Sequence, residues 1–95
     1  MKVRDMTNNH RSAPNQYEIT LDNGDTVFQS HNSVIATKKR THSPFGLGYD
    51  IITLDKNYWD YSKTTGKYRN QFLGETKKET ERKIKEGIYT LENLN

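Results

Sequence analysis

The chain has no cysteine, which excludes a disulfide framework, thiolate nucleophiles and zinc–thiolate sites. That absence fits a reducing compartment, so a cytoplasmic setting is expected. Long apolar runs are also missing. The N-terminus "MKVRDMTNNHRSAPN" is polar throughout, so neither a transmembrane helix nor a secretory signal is expected, and no membrane partner. Aliphatic side chains are scarce. Hydrophobic residues make up 31% of the chain and charged residues 28%, against an apolar share of roughly 45–50% in average domains when glycine is counted. Large aromatics must therefore supply much of the core, at about 150–250 Å² of buried surface each. The same shortage makes a homodimer an expected outcome. What charge there is runs mildly basic, with a net +3. This permits an anionic partner but lacks the dense basic stripe of a dedicated nucleic-acid binder.

A length of 95 residues fits one domain. Residues 1–15 show no periodicity and read as a flexible or irregular arm, leaving residues 16–95 as a single domain. "QYEITLDNGDTVFQS" then alternates, with Tyr17, Ile19 and Leu21 on one face. Asn23-Gly24 is the favoured pair for a two-residue hairpin turn, which would set Leu21 opposite Thr26 and Ile19 opposite Phe28. "HNSVIATKKR" reads as a further strand after a bend at His31-Asn32-Ser33. "RTHSPFGLG" reads as a loop in which Phe45 and Leu47 pack back, and "YDIITL" as another strand. A helix is expected from a cap at Thr64 or Thr65 through Leu73, ended by Gly74. Thr76 followed by Glu79 matches a capping box. The helix it opens should turn Thr80 and Ile84 inward and stop at Gly87, before a last strand in "IYTLENL". The expected fold is α+β: a small antiparallel sheet, an N-terminal hairpin with further strands, two short C-terminal helices and a closing strand.

Catalytic and metal chemistry find little support. His10, His31 and His42 lack ligand-like spacing, and "DNGD" lacks the later ligands of a calcium loop. "TTGKY" contains Gly66-Lys67, but Tyr61 and Tyr68 stand where a phosphate loop needs Gly and Ser or Thr. No spacing implies a triad or a carboxylate pair. We therefore expect no enzyme, no metal and no cofactor.

Asn57 to Gly74, "NYWDYSKTTGKYRNQFLG", holds the single tryptophan beside tyrosines and cations. Aromatic rings interleaved with Lys and Arg can grip single-stranded nucleic acid, and partly exposed tyrosines also favour protein interfaces. Trp59 and Phe72 are expected to serve the core instead. The candidate binding residues are Tyr58, Tyr61, Lys63, Lys67 and Arg69. Lys38, Lys39 and Arg40 form a second basic cluster that would meet phosphate or an acidic protein surface.

"FQSHNSVIA" (28–36), this aromatic block through Thr76, and "KIKEGIYTLENLN" (83–95) together resemble a family of small uncharacterised proteins of phages and plasmids in Gram-positive bacteria. The pattern departs at His31, where the family has tyrosine, and in a longer link between Ala36 and Asn57. The resemblance supplies no site residues. It implies the cytoplasm of a bacterial host and a protein that binds a host macromolecule, as an inhibitor of defence or a regulator. The expected partner is a host protein or protein complex. The alternative is a nucleic-acid or nucleotide-binding module built on the same aromatic-basic surface.

Overall fold

The computed structural model describes residues 1–42 and 48–95. Phe45 and Leu47 of the expected loop lie outside the described residues. One six-stranded sheet runs in chain order: β1 (Lys2–Asn8), β2 (Arg11–Thr20), β3 (Thr26–Ser30), β4 (Ser33–His42), β5 (Gly48–Asp55) and β6 (Thr90–Glu92). Helices α1 (Lys63–Leu73) and α2 (Lys77–Lys85) fall between β5 and β6. The α+β expectation holds, with one refinement: β6 pairs with β5 in parallel, whereas the other pairings are antiparallel.

The N-terminal segment is not irregular. Residues 2–8 pair with β2 as an edge strand. Its lack of period-two patterning has a local cause, a wide bulge. Pairing jumps from Asp5↔Tyr17 to Thr7↔Ser12, and Asn15 takes a left-handed φ of 63°. The bulge turns Met6, Ala13 and Gln16 into the interior out of alternation, at 4%, 2% and 1% exposure. A strand broken in this way cannot show a clean repeat.

The register of the β2–β3 hairpin also differs from expectation by one residue. Glu18 lies opposite Phe28 and Thr20 opposite Thr26. In this loop only Gly24 has a positive φ, 93°, whereas the two-residue turn needs positive φ at both central positions. Instead Leu21 N–H donates to the Asp25 carbonyl (2.8 Å) and Gly24 N–H to that of Leu21 (3.0 Å). Asn23 Oδ1 accepts from Asp25 N–H at 3.0 Å. The result is a three-residue loop with glycine in its left-handed place, and a one-residue slip exchanges the faces of a strand. The primed turn is present elsewhere, at Asn9-His10 between β1 and β2, with φ of 50° and 66°.

Opposed residues of a sheet share a face. Phe28, Ala36 and Leu54 therefore point together, and all are fully buried. α1 lies on this face: the Phe28 and Phe72 ring centroids are 5.8 Å apart, and Thr65 Oγ1 meets Ser30 Oγ at 3.0 Å. Tyr68 and Phe72, four apart on α1, are both buried, with Trp59 and Ile84 packed against the same core. Aromatics do fill the space that aliphatics leave. The cap of α1 is Ser62, two residues before Thr64, with its hydroxyl accepting from Thr65 N–H at 3.1 Å. Thr65 cannot cap because its side chain is spent on Ser30. Gly74 closes the helix at φ 70°, and the Thr76–Glu79 capping box forms as expected. Thr80 is buried and Ile84 half-buried. Among the described residues no helix is long and apolar enough to cross a membrane.

Candidate functional site

Asp55 ends β5 fully buried and organises the turn after it. Its Oδ2 accepts from Asn57 N–H (3.0 Å) and Tyr58 N–H (2.9 Å), and its Oδ1 from Leu94 N–H (2.8 Å). Burial pushes the carboxyl pKa up, but the hydrogen bonds from Leu94, Asn95, Asn57 and Tyr58 outweigh it and hold the pKa below its ordinary value. Residues 56–60 are thereby folded into a turn. The turn brings Tyr58 and Tyr61 together. Their ring centroids are 5.6 Å apart at 83°, edge to face, and the side chains are 37% and 47% exposed.

Beside this pair a cleft of about 680 Å³ opens along the first turns of α1, lined by Tyr61, Lys63, Gly66, Lys67, Asn70 and Lys77 with Asp60 and Arg69. Among the described residues Asp60 is the only acid lining the cleft, and it is held by Lys77 at 2.8 Å and Arg69 at 3.1 Å. Burial raises the Asp60 pKa, yet the hydrogen bonds and charges of Lys77 and Arg69 bring it below the ordinary value. The carboxylate stays ionised near neutrality, compensated by its two partners. No acid sits in the first turn of α1, and among the described residues Lys63 and Lys67 make no ion pair. The cleft is thus cationic, with a helix N-terminus adding to the potential.

Of the eight residues that the sequence marks as binding candidates, Tyr61, Lys63 and Lys67 line this cleft with exposed side chains, and Tyr58 lies beside them against the Tyr61 ring. Arg69 is there but buried, at 1% exposure. Its guanidinium donates to the Trp59 carbonyl (2.8 Å), Asp60 Oδ1 (3.1 Å) and Asn70 Oδ1 (3.0 Å). It also lies 5.3 Å from the Trp59 ring. It braces the turn against α1 and is not a free cation. The 38–40 cluster is elsewhere and divided, because neighbours on a strand point to opposite faces. Lys38, on the helix face, hydrogen-bonds the Phe72 carbonyl, with Nζ 4.3 Å from the Phe72 ring centroid. It thereby supplies the cation that the C-terminal end of α1 lacks in its own last turn. Lys39 is exposed on the opposite face, and the Arg40 backbone is tied to Asp25 Oδ1 at 3.1 Å. Lys77, which sequence reasoning passed over as a helix-surface residue, completes the cleft. Its place there is tertiary, set by the ion pair of Lys77 Nζ with Asp60 Oδ2 at 2.8 Å, and no local pattern in the sequence signals it.

Gly66 lies buried inside α1, where a Cβ would sit 3.5 Å from the Arg69 guanidinium, an ordinary contact distance. Gly66→Ala should therefore fit. It should raise the free energy of unfolding by about 0.5–1 kcal/mol through helix propensity, measured by urea denaturation; a destabilised variant would show that the Arg69 packing leaves no room for a methyl group.

A one-sided sheet carrying two helices, with a cationic, tyrosine-rimmed cleft at the start of the first helix, defines a small α+β protein with a candidate binding surface. Residues 1–87 match the model of a family of unknown function, DUF8033. The chain belongs to that family. No curated protein and no solved structure matches it.

Proposed function

We propose that the chain is a non-enzymatic binding protein of a phage or other mobile element, acting in the bacterial cytoplasm by occupying a host protein, as a regulator or a counter-defence inhibitor. The phage and plasmid setting rests on the sequence resemblance. The mode of action rests on one observation: the exposed Tyr58–Tyr61 pair stands beside Lys63 and Lys67, which are exposed and make no ion pair among the described residues. Tyrosine with cations is the composition of a protein-binding patch. Single-strand grips present ring faces to successive bases. Here one tyrosine's edge covers the other's face, which leaves a poor platform for stacking and favours an acidic protein surface over nucleic acid.

A Lys63→Glu/Lys67→Glu double variant tests this. Both side chains are exposed, so its stability should stay within about 0.5 kcal/mol of the parent for each substitution. The parent should capture a host protein from nuclease-treated lysate, and the double variant should not. Oligonucleotide binding at low salt, falling by about 10-fold or more between 50 and 200 mM and lost in the double variant, would instead establish the nucleic-acid reading.

A further inference from the structure

The cleft beside Tyr61 runs along one face of α1. Its lining extends from Ser62 to Asn70, which at about 1.5 Å per residue makes it about 12 Å long. That lining carries Lys63, Lys67, Arg69 and Lys77 against Asp60. The excess of cations equals the net +3 of the whole chain, so the formal charges of the rest of the chain balance. An acidic partner is therefore drawn to this cleft before any other part of the surface. Two of the four cations are already committed. Arg69 and Lys77 hold Asp60, whereas Lys63 and Lys67 are exposed and make no ion pair among the described residues. These two stand four residues apart on α1, about 6 Å along its axis. Between them Gly66 contributes no side chain, and the Arg69 guanidinium lies 3.5 Å from the place its Cβ would take. The Nε of that buried guanidinium has no hydrogen-bond partner among the described residues. The floor of the cleft is thus cationic as well as its walls.

We propose that the occupant of this cleft is an extended acidic segment of the partner, with Asp or Glu at alternate positions. The proposal rests on the reading of the cleft as the binding surface and names what that surface receives. Spacing carries it. In an extended chain alternate side chains point the same way and stand about 6.6–6.8 Å apart, close to the one-turn rise that separates Lys63 from Lys67. Carboxylates at the first and third positions of the segment therefore meet the two lysines, while the residue between them faces solvent. Size agrees. About four extended residues span the length of the cleft. A helix of that length, about 10 Å across, fills roughly 900 Å³, more than the cleft's volume of about 680 Å³. Asn70, whose Oδ1 accepts from Arg69, has its Nδ2 left to donate to a carbonyl of the segment.

Two capped pentapeptides of one composition decide it. Ser-Glu-Ser-Glu-Ser carries its acids at alternate positions, and Ser-Glu-Glu-Ser-Ser carries them side by side. Each is titrated into the isotope-labelled full chain at about 10 mM salt, where exposed charges are little screened. The alternating peptide should shift the amide NMR signals of Lys63, Gly66 and Lys67. It should bind about 2- to 5-fold more tightly than its isomer, the measure of one exposed ion pair. Lys67→Gln should erase that preference, since either peptide then keeps one pair, whereas Lys78→Gln on α2 should preserve it. Equal affinity of the two isomers overturns the proposal. So does tighter binding of Ser-Glu-Ser-Ser-Ser-Glu-Ser, which has the spacing of a helical ligand, or a titration that leaves the cleft signals unmoved. The result is separable from that of the lysate capture. A host protein held through Lys63 and Lys67 while the isomers bind alike would keep the partner and discard the segment. Discrimination between the isomers without a captured host protein would do the reverse.

Discussion

Arg69→Ala should lower the stability of the protein by about 3–5 kcal/mol, enough to unfold much of a marginal domain of this size. The effect has three sources. The guanidinium satisfies the Trp59 carbonyl and Asn70 Oδ1 in a place that water does not reach freely, and hydrogen bonds to a charged group contribute about 1.5–3 kcal/mol each. Its removal leaves a cavity under Trp59 and beside Gly66. Asp60 contributes least, because Lys77 still holds it and its side chain is 30% exposed. Arg69→Met, which restores volume but no donors, should recover only part of the loss. Urea denaturation of the two variants beside Lys63→Ala measures the difference. A loss below about 0.5 kcal/mol in Arg69→Ala, the size expected of a free surface cation, would return Arg69 to the binding surface.

Arg69 also shows where sequence reasoning stops. "KYRNQF" gives Arg69 the same standing as Lys63 and Lys67, since burial of one cation among several leaves no mark in composition. Its position beside Tyr68 on a helix whose Tyr68 and Phe72 face inward was the available hint. Helices were legible because their ends are local chemistry: Gly74, Gly87 and the Thr76–Glu79 box act within one turn. Strand register was not, because it depends on the loop, and "LDNGD" supports both a two-residue and a three-residue turn until the partner strand is in place. The N-terminal strand was hidden for a related reason. Its buried residues Met6, Ala13 and Gln16 follow a bulge and not an alternation. The cleft itself joins the turn after Asp55 to the starts of both helices, a juxtaposition of tertiary origin that only Tyr58, Tyr61, Lys63 and Lys67 announced.

Glu75 carries the second large effect, and it depends on pH. The carboxylate is 5% exposed and accepts from Thr80 Oγ1 (2.7 Å), Lys83 Nζ (2.8 Å) and the Tyr89 hydroxyl (2.6 Å). It ties the link after α1 to α2 and to the segment entering β6. Glu75→Ala leaves a lysine and a buried phenol without their acceptor, at an expected cost of about 3–5 kcal/mol. Burial raises the Glu75 pKa, but the bonds from Lys83, Tyr89 and Thr80 pull it below its ordinary value. A depressed carboxyl stabilises the fold above its unfolded pKa, near pH 4, and that contribution is lost as pH falls through the folded value. Tyr89 behaves in the opposite sense. Burial, then the hydrogen bond and charge of Glu75, push its pKa up to about 12. Its contribution is complete below about pH 10, the unfolded value, and disappears as pH rises towards the folded one. The Lys83 pKa is raised chiefly by the Glu75 hydrogen bond, so its contribution also fades on the alkaline side. Stability measured by urea denaturation should therefore fall at both ends, below about pH 4 and above about pH 10. Glu75→Ala should flatten both limbs in part, with Asp55 and Asp60 keeping some of the acid one and the burial of Tyr89 some of the alkaline one. A variant profile that merely runs parallel to the parent's, lower at every pH by the same amount, would mean that the three donors do not depend on the Glu75 charge.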